Sequence, residues 1–217
     1  MELKSVESAR LIDLMTVDTP EGQPYLPDVI KAVVERYRFQ SYPSTFDEMM
    51  SDPKKFNIGE WNGVQIEDLS AYNDGLIVGG RCRTDVLEGM LEDLMGIMES
   101  QFHTRRIPSP NDGRFFESGV VVRFDQRILS KLDFLSVVHE DIETFLSGYG
   151  LGPFEYAPSG LISDSDPSKI VGRRPLPFSL ARRVSVPYEE NLWFSGAPLK
   201  TDDHIALLEN VEAVMLR

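Results

Sequence analysis

The chain has 217 residues and a mass of 24.5 kDa, with 22 Lys and Arg against 35 Asp and Glu, a formal charge of −13 and 41% hydrophobic residues. A chain of this size buries about 70% of its unfolded surface, so a core forms without staples, and the single cysteine, Cys82, excludes an internal disulfide framework. No apolar stretch approaches the ~18 residues of a membrane span, and Met1-Glu2-Leu3-Lys4 lacks a secretory pattern, so we expect a cytoplasmic protein with no membrane partner.

Leu11, Ile12, Leu14, Met15 and Val17 mark a strand or short buried element within Ala9 to Val17, closed by a turn at Pro20-Glu21-Gly22. Pro27 suits the first turn of a helix, and Val29, Ile30, Val33, Val34 and Tyr37 form its stripe, ending before Tyr42-Pro43. Thr45 and Glu48 have capping-box spacing, opening a short helix that Pro53 closes. Gly63 to Leu69 and Gly75 to Arg81 read as strands joined by Tyr72-Asn73-Asp74-Gly75. Thr84 then caps a strong helix with Leu87, Met90, Leu91, Leu94, Met98 and Phe102 on one face. Gly89 and Gly96 inside it cost ~1 kcal/mol each relative to alanine, which suggests close approach of another element.

Ile107 to Gly113 reads as a loop between halves. Gly119 to Phe124 is a strand, and a second helix carries Leu129, Leu132, Leu135, Val138, Ile142, Phe145 and Leu146 until Gly148, Gly150 and Gly152 stop it. Short strands follow at Phe154 to Ala157 and Leu161 to Ile162, and a firmer one at Phe178 to Val186. Asn191 to Pro198 is too rich in turn residues for a plain core strand, so Trp193 and Phe194 read as edge or interface aromatics, as does Trp61. Thr201-Asp202-Asp203 opens a last helix with Ile205, Leu207, Leu208, Val211 and Met215 as its apolar face. The order lacks regular βαβ alternation and any repeat. It predicts an α+β fold, with mostly antiparallel sheet and helices on one face. Two related halves, 1–107 and 114–217, would fold as one compact unit.

Charge is uneven. Residues 1–100 carry a net −10, the remaining 117 a net −3, and Asp166 to Lys200 a net +3. An acidic first half disfavours direct nucleic-acid binding, which relies on Lys and Arg contacts to phosphate. The basic island, with Arg173, Arg174, Arg182 and Arg183, is the candidate site for an anion or a partner, with Asp164, Asp166 or His204 nearby; pairing within the molecule or between subunits, with the remaining arginines solvated, is the plainer explanation and the one preferred. Arg182 falls on the apolar face of Phe178, Leu180, Val184 and Val186, so it needs an internal carboxylate, a bulge that resets the register, or a bound anion.

No catalytic or metal-binding residues are assigned and no cofactor is expected. His139-Glu140-Asp141-Ile142-Glu143 has a glutamate where a zinc-protease helix needs its second histidine, so His139 reads as a boundary residue. His103 suits a helix C-terminus. Asp202-Asp203-His204 is explained by helix capping before a metal, and Cys82, between Arg81 and Arg83, by burial. Asp164-Ser165-Asp166 reads as a polar turn. The preferred expectation is a non-catalytic interaction protein (an assembly, adaptor or inhibitory subunit) whose acidic N-terminal surface meets another protein or a second copy. Its rivals are a small enzyme or anion-binding protein using the basic island, and an inhibitor mimicking nucleic acid.

Overall fold

The structure, a computed structural model, describes residues 1–110, 112–126, 128, 132, 135–170 and 174–215. In chain order its strands are β1 (Glu2–Leu14), β2 (Thr16–Asp18), β3 (Lys54–Trp61), β4 (Val64–Tyr72), β5 (Gly75–Gly80), β6 (Arg105–Ile107), β7 (Gly113–Arg123), β8 (Gly160–Ser163), β9 (Phe178–Arg182) and β10 (Leu192–Ala197). Its helices are α1 (Leu26–Tyr37), α2 (Phe46–Met50), α3 (Thr84–Phe102), α4 (Ser136–Gly148) and α5 (Thr201–Met215). Eight strands make an antiparallel sheet in the order β3-β4-β5-β1-β7-β10-β9-β8, and β2 pairs with β6 separately. The fold is α+β, as the element order predicts.

Two compact units divide the chain, one formed by Val6–Gly119 with Ala197–Asp203, the other by Met1–Ser5, Val120–Gly196 and the residues from His204 onward. In the first, α1 and α3 lay apolar stripes on one face of the sheet. Ile30, Val33 and Tyr37 of α1 and Leu87, Met90, Leu91 and Leu94 of α3 share a core with Leu11, Phe56, Ile66, Leu69 and Val78. Both stripes are the ones the helical periodicity predicts.

The β4–β5 hairpin also forms where expected, with Tyr72 opposite Gly75. Gly75 is required there by space, because a Cβ would lie 2.5 Å from the Asp13 carbonyl oxygen. A second hairpin, β3–β4, was not expected from the sequence. Its turn is Asn62-Gly63, with φ of 51° and 78°, the pair of positive angles that a type I′ turn needs. Gly89 meets the predicted neighbour: a Cβ would stand 2.7 Å from the Trp61 ring. Gly96 meets nothing within 4 Å, so close approach does not explain it.

Several boundaries shift. β7 starts at Gly113 instead of Gly119, and at the other end of the expected loop Arg105 to Ile107 pair with Thr16 to Asp18, so the loop is shortened at both ends. That ribbon carries an ion cluster. Asp13, with no exposed surface, accepts from Arg106 Nη2 and Arg114 Nε, each at 3.0 Å. Cys82 is 8% exposed; burial, with Asp85 and Glu67 adding, pushes its thiol up to about 11, far from a reactive thiolate.

In the second unit β10 is a true core strand, contrary to the reading of Asn191 to Pro198 as turn-rich. Trp193, Ser195 and Ala197 alternate as buried positions, and Trp193 meets Phe124 edge-on. Asn191 makes this possible. At φ 51° its side-chain amide donates to the Phe124 and Gln126 carbonyls at 2.7 and 2.6 Å, and its oxygen accepts from Trp193 Nε1 at 2.9 Å. The turn-favouring residue thus closes the strand's entry. Phe154 to Ala157 forms no strand, and β9 ends at Arg182 instead of Val186. The second helix opens at Ser136, and no described residue of α4 is buried, so its stripe is not the core face the periodicity implied. Leu129 lies outside the described residues.

Candidate functional site

Arg182 closes β9 opposite Trp193 of β10, with Leu180 opposite Ser195, so the four share one face of the sheet. The period-two reading placed Arg182 there correctly. Its guanidinium lies 4.0 Å from the centre of the Tyr188 ring and 4.7 Å from that of Trp193. Nε donates to the Pro158 carbonyl at 3.2 Å and Nη1 to the Tyr188 carbonyl at 3.3 Å. Two aromatic faces and two carbonyls are thus among the groups that stabilise the cation. The sequence carries no local signal for Tyr188 in this role, because it is the turn at Tyr188–Glu190 that folds its ring onto Arg182.

The other island residues separate. Arg174 pairs with Asp164, whose carboxyl is held below the usual range, mainly by the Ser165 backbone N–H and further by Arg174. Asp166 accepts from the Ser168 N–H at 3.0 Å, which lowers its pKa in the same way. Asp164 and Ser165 lie in irregular chain, and the turn forms one step later, where Asp166 caps the 3-10 turn Pro167–Lys169. Arg183 is exposed, its backbone N–H donating to the Leu192 carbonyl at 2.9 Å. Arg173 lies outside the described residues. A groove of about 800 Å³ beside Arg182 is lined by Arg123 but also by Asp125, Glu155, Glu189 and Glu190, an acidic setting for a basic residue.

The last helix brings together a pair the sequence did not suggest. His204 and Ser195 are both fully buried, with Nε2 and Oγ 2.9 Å apart, and the Phe178 ring stands edge-on to the imidazole. Ser195 Oγ also donates to the Ser179 carbonyl at 2.8 Å, so toward His204 the hydroxyl acts as acceptor and Nε2 carries the proton. A nucleophile needs the opposite polarity, with the hydroxyl proton pointing at the imidazole. The pair fastens α5 to β10 and β9. Asp202, read beside His204 in sequence, pairs with Arg83. Among the described residues no group of three or more His, Cys, Asp or Glu side chains is placed to hold a metal. His139 is half-buried, and His103 closes α3 in a left-handed conformation, φ 53°.

In the first unit the acidic surface has a defined feature at α2. The capping box forms: Glu48 N–H donates to Thr45 Oγ1 at 3.3 Å and Thr45 N–H to Glu48 Oε2 at 3.0 Å. The Ser44 and Thr45 backbone N–H groups hold the Glu48 carboxyl below its usual range. On this ordered turn Phe46 and Met50 are 76% and 65% exposed. Asp47, Glu48 and Asp52 lie beside them in the sequence, and no Lys or Arg occurs between Arg38 and Lys54. A groove of about 420 Å³ lined by Tyr42, Glu48, Asp52 and Lys55 adjoins. No family model and no curated protein matches the sequence.

Proposed function

We propose that this chain is a non-catalytic protein-interaction subunit, an assembly, adaptor or inhibitory component, that meets a basic partner through the acidic surface of its first unit. The observation that carries the reading is the exposed pair Phe46 and Met50, one helical turn apart on a capped helix within a run of carboxylates. Large apolar side chains held outward on an ordered element supply the core of an interface, and the surrounding acids supply its rim and its preference for cations. Anion binding at the basic island has less support, because Arg174 is paired with Asp164 and Arg182 is stacked between two rings.

The test is quantitative affinity capture from an extract of the cells that encode the protein, comparing wild type with the Phe46→Ser/Met50→Ser double variant. A partner that wild type retains, that the variant loses and that elutes with rising salt supports the reading. Equal recovery by both proteins, or none by either, sinks it. Thermal stabilisation by inorganic phosphate would favour the anion-binding alternative instead.

A further inference from the structure

Helix α4 is amphipathic in an unusual sense, because part of its apolar surface is left uncovered. Val137, Val138 and Phe145 are 64%, 52% and 63% exposed, and Tyr149, just past its end, 73%. At 100° per residue Val138, Phe145 and Tyr149 fall within about 40° of one another, with Val137 and Asp141 on the adjoining side. The half-buried positions His139, Ile142, Glu143 and Leu146 lie on the flank, so one side of the helix is anchored and the apolar side is presented. Glu143 helps to anchor it by accepting from the Tyr156 N–H at 2.9 Å.

We propose that this face of α4 is a second docking site, which takes a cationic amphipathic helix of another protein. The partner's charge follows from the helix and the segment after it: no Lys or Arg occurs from Ser136 to Ala157, while Glu140, Asp141, Glu143 and Glu155 do. Asp141 lies within the apolar surface itself, where an approaching Lys or Arg gains most. A second copy fits poorly, because a two-fold pairing of α4 sets Asp141 against Asp141 and joins two chains of charge −13. Stripes at three- and four-residue spacing are the surface that helix-on-helix recognition uses. The site lies in the other unit from α2 and does not depend on the function proposed there.

The probe is a synthetic amphipathic peptide of about five helical turns, leucine on one face and lysine on the rest, with a glutamate-for-lysine twin as control. Amide hydrogen exchange and fluorescence anisotropy are read on the full chain. The expected result is binding of the lysine peptide only, protection over residues 137–149, and a Kd raised about tenfold or more by Phe145→Ser and, independently, by Asp141→Lys. Both positions are exposed, so the variants keep the wild-type melting temperature. No binding, equal binding of the twin, or a Kd unmoved by both variants overturns the proposal. A footprint at residues 42–52 overturns it too, while supporting an interface at α2. A dimer that Phe145→Ser dissociates, or attachment to phosphatidylcholine vesicles lost in that variant, would assign the face to another occupant and equally refute it.

Discussion

Thr84 and Thr201 cap one another. Each opens a helix, α3 and α5, and each hydroxyl accepts the backbone N–H of the other residue, Thr84 N–H to Thr201 Oγ1 at 3.0 Å and Thr201 N–H to Thr84 Oγ1 at 2.9 Å. Both are almost fully buried, so the two orphan N–H groups have no water to turn to. Thr84→Val is expected to lower stability by about 1–2 kcal/mol and Thr84→Ser by much less. In a double-mutant cycle with Thr201→Val, chemical denaturation should give a coupling of about 0.5–3 kcal/mol. Additive losses would show that the two caps act separately.

Ser195 and His204 make a structural pair, and their chemistry is checked in two ways. Ser195→Ala removes the hydroxyl that the buried His204 Nε2 bonds and costs about 1–3 kcal/mol, read from urea unfolding. A fluorophosphonate probe, which labels activated serines, should leave Ser195 untouched in the folded protein, because the side chain has no exposed surface and its proton is held by Ser179. Labelling at Ser195 in mass spectrometry would contradict that polarity.

The two glycines of α3 should respond oppositely to alanine. Gly96 has open space around it, so Gly96→Ala gains up to about 1 kcal/mol of helix propensity. Gly89→Ala drives a methyl group into the Trp61 ring and should lose about 1–3 kcal/mol instead. Melting temperatures of the two variants, moving in opposite directions, are the readout.

Asp93 links acid sensitivity to the α1–α3 contact. It accepts from Arg36 Nε at 2.9 Å and from the buried Tyr37 hydroxyl at 2.7 Å. Arg36, the larger influence, and Tyr37 hold its carboxyl below the ordinary aspartate value. Burial, and then the Asp93 carboxylate, push the Tyr37 phenol up. The sign follows directly: the stabilisation is complete above the unfolded aspartate pKa of about 3.9 and is lost as pH falls through the lower folded value. Asp93→Asn should flatten the stability–pH curve in that acid window, measured by denaturation from pH 7 downward. Tyr37→Phe should cost about 1 kcal/mol and flatten the acid slope less than Asp93→Asn does, because Arg36 still holds the carboxylate.

The helices of the first unit were legible in the sequence because their stripes are long. Val29 to Tyr37 and Leu87 to Leu94 repeat at three and four residues, and burial selects that pattern whatever the neighbour is. The β4–β5 hairpin was legible through Asn73-Asp74-Gly75, a local turn signal. Asn62-Gly63 is an equally local signal, but the strand before it, β3, lacks a clear alternation of its own and takes its place only by pairing with β4. β10 failed for a different reason: Asn191, Ser195, Gly196 and Pro198 are turn-formers by composition, and only the bonds of Asn191 to Phe124, Gln126 and Trp193 convert them into a core strand.

Arg182 shows where the division falls. Alternation along Phe178, Leu180 and Arg182 was enough to place a cation on an apolar face, since the side-chain period of a strand is a property of the backbone. Which groups receive it was decided by the folding of Tyr188 and Trp193 from six and eleven residues away, and the candidate anion grip became a stacked, carbonyl-bound guanidinium. The same holds for the caps and for α4. Thr84 and Thr201 each signalled a helix start, but their mutual pairing needs residues 117 positions apart to meet. The periodicity of α4 specifies an apolar stripe, whereas its exposure depends on which surfaces the rest of the chain has already used. Period, propensity and turn chemistry act over a few residues; partners, burial and the polarity of a hydrogen bond are set by contacts between distant ones.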